Sequence, residues 1–131
     1  MDKIDMTALL HRAKEARKNA YAPYSGFSVG AAVLSKNGKI YTGCNVENAS
    51  FTPTCCAERI AIFSAVADGE REFCAVAVAG SSTPCMPCGV CRQVMSEFCD
   101  DQTIIIYEGE KGEAQAVTLG ELLPHSFRLN K

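Results

Sequence analysis

The stretch FCAVAVAGSSTPCMPCGVCRQVMSEF, Phe73 to Phe98, changes character halfway along. Phe73 to Gly80 is a continuous apolar run of the kind that forms a strand buried on both faces. After a turn rich in Ser, Pro and Cys, the residues Cys91, Val94, Met95 and Phe98 recur at helical spacing. QTIIIYE (102–108) is then a second buried strand. Strand, turn, helix and strand in that order predict an α/β unit, with the cysteines where the first strand hands over to the helix.

The same reading extends in both directions. Residues 5–21 carry Met6, Leu9, Leu10, Ala13, Ala16, Ala20 and Tyr21 on one helical face, with Asp5 or Thr7 as a capping residue. Pro23 and Gly26 break the pattern. FSVGAAVL (27–34) alternates Phe27, Val29, Ala31 and Val33 as a strand would, and Asn37-Gly38 is a hairpin signal leading to a return strand in KIYTGCNVEN (39–48). Cys56 to about Ala67 reads as a helix apolar almost all round, hence buried, with Gly69 at its end. QAVTL (115–119) suits a short edge strand, and Thr118 with Glu121 forms a capping box. The expectation is one domain over residues 1–131, an α/β sandwich whose mixed sheet is covered by helices.

Composition narrows the function. The chain has 131 residues, 47% hydrophobic and 21% charged, with a net charge of −2. No cluster of Lys or Arg offers a phosphate-binding face, so nucleic acid is not an expected partner. No apolar run is long enough for a membrane span, and the charged amphipathic start does not read as a signal peptide, so a cytoplasmic location is expected. Eight cysteines in a reducing compartment point to metal or catalysis rather than disulfides. Cys44, Cys74 and Cys99 stand in apolar surroundings and read as small buried hydrophobes.

Two Cys-x-x-Cys pairs overlap in the opening stretch. Met86 precedes Pro87 and is driven towards extended backbone, which spoils a helical turn between Cys85 and Cys88. Pro87 instead sits where a helix can begin, so Cys88 and Cys91 lie one turn apart on a common face and Cys85 is left as a loop thiol. A third sulfur comes from Cys55 or Cys56; adjacent side chains on a helix diverge by about 100°, so only one reaches the same ion. Three thiolates with an open fourth position is the arrangement of a catalytic rather than a structural zinc. Glu58, two residues beyond Cys56, suits either a carboxylate complementing the helix dipole or a group moving protons near a metal. Arg59 would offset the excess negative charge of three sulfurs by hydrogen bonding to one of them.

Cys-Ala-Glu at 56–58 and Pro-Cys-Gly-Val-Cys-Arg-Gln at 87–93 resemble the zinc nucleoside deaminases. With AYAPYSGFSVGAAV, GCNVENASF and ELLPHSF, the likeness to the small homotetrameric cytidine deaminases runs along nearly the whole chain. The resemblance implies a three-layer α-β-α sandwich with a mixed five-stranded sheet. It also implies one Zn²⁺ per subunit, held by Cys56, Cys88 and Cys91, and Glu58 as the proton-transferring catalytic residue. The implied reaction turns cytidine or 2′-deoxycytidine into the corresponding uridine with release of ammonia. Phe27 would lie against the pyrimidine, the backbone of Ala57 would meet its polar edge, and Asn45 and Glu47 would bind the ribose 3′-hydroxyl. Phe127 would reach the site of a neighbouring subunit in a homotetramer. Two positions depart from the family pattern: Phe51 stands where Tyr is frequent, and Ile60 where Thr is frequent. The competing readings are a deaminase of a cytosine-containing antibiotic and an inactive structural zinc module; Asn45-Val46-Glu47-Asn48 and the three-sulfur count argue against them.

Overall fold

A computed structural model describes residues 4–130 of the chain. Its elements are α1 (Met6–Arg17), β1 (Val29–Ser35), β2 (Ile40–Cys44), α2 (Ala57–Ala67), β3 (Phe73–Gly80), α3 (Gly89–Phe98), β4 (Ile104–Glu108), β5 (Ala114–Thr118) and α4 (Leu119–Leu122). The five strands form one sheet in the order β2-β1-β3-β4-β5. β3 and β4 run parallel, with α3 as the connection between them, and the other pairs are antiparallel. The sheet is therefore mixed, as expected.

The sheet separates two apolar layers. On one side α1 lays Leu9, Leu10 and Ala13 against Ala32, Ala75, Ala77 and Ile106. On the other, Ala61, Ile62 and Ala65 of α2 and Cys91 and Met95 of α3 cover Ala31, Val33, Val76, Val78 and Ile105. Helices on both faces make the three-layer sandwich and explain why β3 is apolar throughout.

They also correct the reading of β1. It begins at Val29, not Phe27, and Gly30 to Val33 are buried without interruption. An inner strand with a covered face on each side has no solvent side for alternation to report. α2 departs in the opposite sense: its apolar sequence is not matched by all-round burial, because Phe63 remains 48% exposed.

Local chemistry fixes the ends. Asp5 caps α1 by accepting from the Ala8 N–H at 3.0 Å. The helix stops at Arg17, short of the expected Tyr21, whose N–H donates to the Asn45 carbonyl at 2.9 Å in an isolated bridge beside Val46. At the end of α2, Gly69 (φ +99°) donates to Val66 and Glu70 to Ala65, a Schellman motif. The Thr118–Glu121 capping box is formed and starts α4. The Asn37-Gly38 turn joins β1 to β2.

Candidate metal centre and active site

The carboxyl end of β3 and the starts of α2 and α3 meet at one cleft, where open α/β sheets commonly bind ligands. Cys56 is the N-cap of α2 and Cys88 the N-cap of α3, both with extended backbone. Neither thiol makes the side-chain capping bond that Ser or Asp would make there, so both sulfurs are free to face each other. Pro87 precedes the N-cap, and α3 begins later than the sequence suggested. Cys91 occupies the first turn, one turn beyond Cys88, and is buried.

The sulfurs of Cys56 and Cys88 are 3.8 Å apart and those of Cys88 and Cys91 3.5 Å. Both separations are too long for a disulfide. They fit tetrahedral zinc, where bonds of about 2.3 Å place sulfurs about 3.8 Å apart. Among the described residues, this trio is the single group of three His, Cys, Asp or Glu side chains able to converge on one ion. Cys55 is not part of it: its backbone pairs with Val46, and burial pushes its thiol pKa up.

The trio shares charge with its neighbours. Hydrogen bonding from Cys91, supported by Arg59 and Cys88, draws the Cys56 thiol down to about 5, although burial opposes this. The hydrogen that Cys91 shares with Cys56 drives the Cys91 thiol up. Arg59 Nη2 donates to Cys56 Sγ at 3.4 Å, as expected of a group that offsets thiolate charge, and its buried Nε has no partner among the described residues.

Glu58 lies in the first turn of α2 and is only 3% exposed. Burial raises its pKa to about 7. The side chain lines the cleft with Phe27, Val29, Asn45, Glu47, Ala57, Met86 and Cys88, enclosing about 340 Å³. Ala57 begins α2, where the first N–H groups have no partner within the helix.

The opposite wall is held from the backbone. Asn45 accepts from the Val29 N–H and donates to the Phe27 carbonyl, each at 2.9 Å. That leaves its amide one N–H and a lone pair. Glu47 accepts from the N–H groups of Tyr24 at 2.9 Å and Ser25 at 3.1 Å, and from the Ser25 hydroxyl. The Ser25 hydroxyl is the main reason its carboxyl titrates below its usual range. The clamp by Ser25 was missed in the sequence, where PYSG reads only as a turn.

Phe127 is not brought to this cleft. It is 68% exposed, and its carbonyl accepts from Gln93 of α3 at 2.9 Å. Phe51 is 69% exposed at φ 62°, edge-on to Tyr24. Arg92 donates to the carbonyls of Pro87 at 2.8 Å and Leu122 at 3.0 Å, tying the Cys-rich loop to α4. Of the cysteines read as core, Cys99 is buried, whereas Cys44 and Cys74 are half-buried.

Residues 4–107 match the cytidine and deoxycytidylate deaminase zinc-binding region. A cytidine deaminase of Sporosarcina psychrophila is 47% identical over 125 residues, covering 95% of this chain and 92% of the relative. One from Mycobacterium tuberculosis is 39% identical over 131 residues, covering 99% of this chain and 95% of the relative. The crystal structure of cytidine deaminase from Burkholderia pseudomallei superposes with a TM-score of 0.88 at 46% identity, covering 95% of this chain and all of that one. The matched zinc-binding region contains all three converging cysteines, and their spacing suits Zn²⁺. On sequence, fold and ligand set together, the chain belongs to the cytidine deaminase family.

Proposed function

We propose that this chain catalyses the zinc-dependent hydrolysis of the C4 amino group of cytidine and 2′-deoxycytidine, releasing ammonia and leaving uridine or 2′-deoxyuridine, a step of pyrimidine salvage. The observation that carries the reading is a buried carboxyl, Glu58, in a cleft beside three converging thiols, one ligand fewer than a closed tetrahedral site needs. Zinc held by Cys56, Cys88 and Cys91 supplies the Lewis acidity that makes water nucleophilic at neutral pH.

The chain's own groups do the rest. Glu58 takes the proton lost by the attacking water and delivers it to N3 of the ring; it then takes the remaining proton of the new C4 hydroxyl and passes it to the amine, so that ammonia leaves as the C4 carbonyl forms. Arg59 and the two helix starts offset the negative charge of three thiolates. Phe27 lies against the pyrimidine, and the backbone of Ala57 meets its polar edge. Asn45 and Glu47, already fixed by the chain around them, take the ribose 3′-hydroxyl.

The reading extends to a single catalytic domain over residues 1–131, working in the cytoplasm on free nucleosides, as a homotetramer that shares its active sites. Exposed Phe51, Phe63 and Phe127 support apolar contact between subunits, with Phe127 walling a neighbour's site. A net charge of −2 is consistent with a nucleoside rather than a nucleic-acid substrate. Among the described residues no helix is long and apolar enough to cross a membrane.

An ultraviolet assay of cytidine loss, with zinc quantified in the same sample, tests the proposal. Glu58→Ala is expected to keep zinc and fold while losing turnover by about 10²–10⁴-fold. Loss of zinc from that variant would make Glu58 a ligand and overturn its role.

A further inference from the structure

Cys85 is the thiol that the ligand argument leaves over, yet it is not a loose loop residue. It is half-buried against the core layer of α2 and α3, and it lines the cleft with Phe27, Glu58 and Cys88. Beneath it is Gly80, the last residue of β3, paired with Val29. A Cβ built on Gly80 would lie 2.6 Å from the Cys85 sulfur, 2.7 Å from its Cβ and 3.0 Å from Cζ of Phe27. The sulfur and the tip of the Phe27 ring therefore both pack over a strand end that has no side chain.

The platform is fixed from three directions. Arg17 of α1 donates to the Gly80 carbonyl at 2.5 Å. The Ser81 hydroxyl accepts from the Ser28 N–H at 2.8 Å and donates to the Ser28 carbonyl at 3.1 Å. Asn45 holds Phe27 and Val29 by their backbones. These contacts anchor the main chain around Phe27, whereas Cys85 touches the floor on which its ring rests.

We propose that Cys85 is a positioning residue for substrate binding, setting with Gly80 the seat of the Phe27 ring against the pyrimidine. The inference rests on the assignment of Phe27 to the pyrimidine. Burial keeps the Cys85 thiol neutral, so it acts as an apolar packing group rather than as a ligand or nucleophile. A ring that shifts against the bound base weakens ground state and transition state alike, so the effect falls on KM and not on kcat.

The test is a double-mutant cycle on cytidine, with zinc content and Tm measured for each variant. Cys85→Ala is expected to raise KM by about threefold to tenfold, with kcat within about twofold and zinc unchanged. Cys85→Val, which restores apolar volume, is expected to return KM to within about twofold of the parent. In a Phe27→Ala background, Cys85→Ala should add nothing further to KM. Unchanged KM in Cys85→Ala, or effects that multiply independently in the double variant, would overturn the proposal. A lowered Tm with unchanged KM would assign Cys85 to stability alone. If Phe27→Ala raises KM while Cys85→Ala does not, only the positioning role fails. If Phe27→Ala leaves KM unchanged, the assignment of Phe27 fails and this inference with it.

Discussion

On one wall of the cleft, Cys56, Glu58 and Cys88 hang from two helix starts, with Cys91 one turn further in. On the other, Phe27, Asn45 and Glu47 stand at strand ends and in the segments leading to them. The helical wall is made by counting: N-cap and first-turn positions aim groups at one point whatever lies far away in sequence. The second wall is made by cross-connection, since Asn45 grips residues 27 and 29 and Glu47 grips residues 24 and 25. A local wall should fail all at once when a counted position is lost. A cross-braced wall should fail by degrees.

The sharpest break is Cys88→Ala. Two sulfurs no longer make a catalytic zinc site, and we expect loss of bound zinc with activity down by more than about 10³-fold, read by metal analysis and cytidine turnover. Arg59→Gln comes next. With the guanidinium gone from Cys56, the thiolate charge is less well offset, and kcat should fall by about tenfold. Zinc retained at full stoichiometry would separate this loss from the first.

Ser25→Ala probes the cross-braced wall. Removing the hydroxyl takes away the main influence that lowers the Glu47 pKa. KM should rise about threefold at neutral pH with kcat unchanged. The sign of the pH effect is fixed as well. A depressed carboxyl stays ionised as pH falls until its lowered pKa is reached, so the acid-side rise in KM should begin at higher pH in the variant than in the parent. A profile that did not move would mean Glu47 is held by the Tyr24 and Ser25 amides alone. The smallest effect is expected from Cys55→Ala: zinc content unchanged and kcat/KM within about twofold, because that sulfur lies outside the converging trio.

The contrast between the walls is also a contrast in what the sequence makes legible. Cys88 and Cys91 could be chosen over Cys85 because Pro87 acts within a few residues of all three. Glu58 and Arg59 were singled out by their place beside the three sulfurs, since the helix start alone favours a carboxylate that only complements the dipole. The Ser25 clamp could not be read, because its partner lies 22 residues away and a Ser in a turn has no pattern of its own. Tyr21 fitted the helical stripe but was taken by Val46 across the fold. Strands β3 and β1 were both read as strands, but the alternation seen in β1 does not correspond to a solvent face, although both are inner strands. In β3 every residue is apolar or Gly, whereas in β1 the small residues of one face mimic a solvent side. The outward Phe63 on α2 was hidden for the opposite reason, since an apolar helix does not state which of its faces is covered.

The parallel pairing of β3 with β4 has a consequence for assembly. Strands that run the same way cannot be joined by a tight turn, so the chain must travel back along the sheet between them, and α3 is that return path. The helix that supplies Cys88 and Cys91 is thus a structural connector as well as half of the metal site. Closing the middle of the sheet and bringing those sulfurs to Cys56 depend on the same connection. An ion that prefers the converged sulfurs therefore favours the closed sheet by mass action, and the metal tethers the architecture as well as the chemistry.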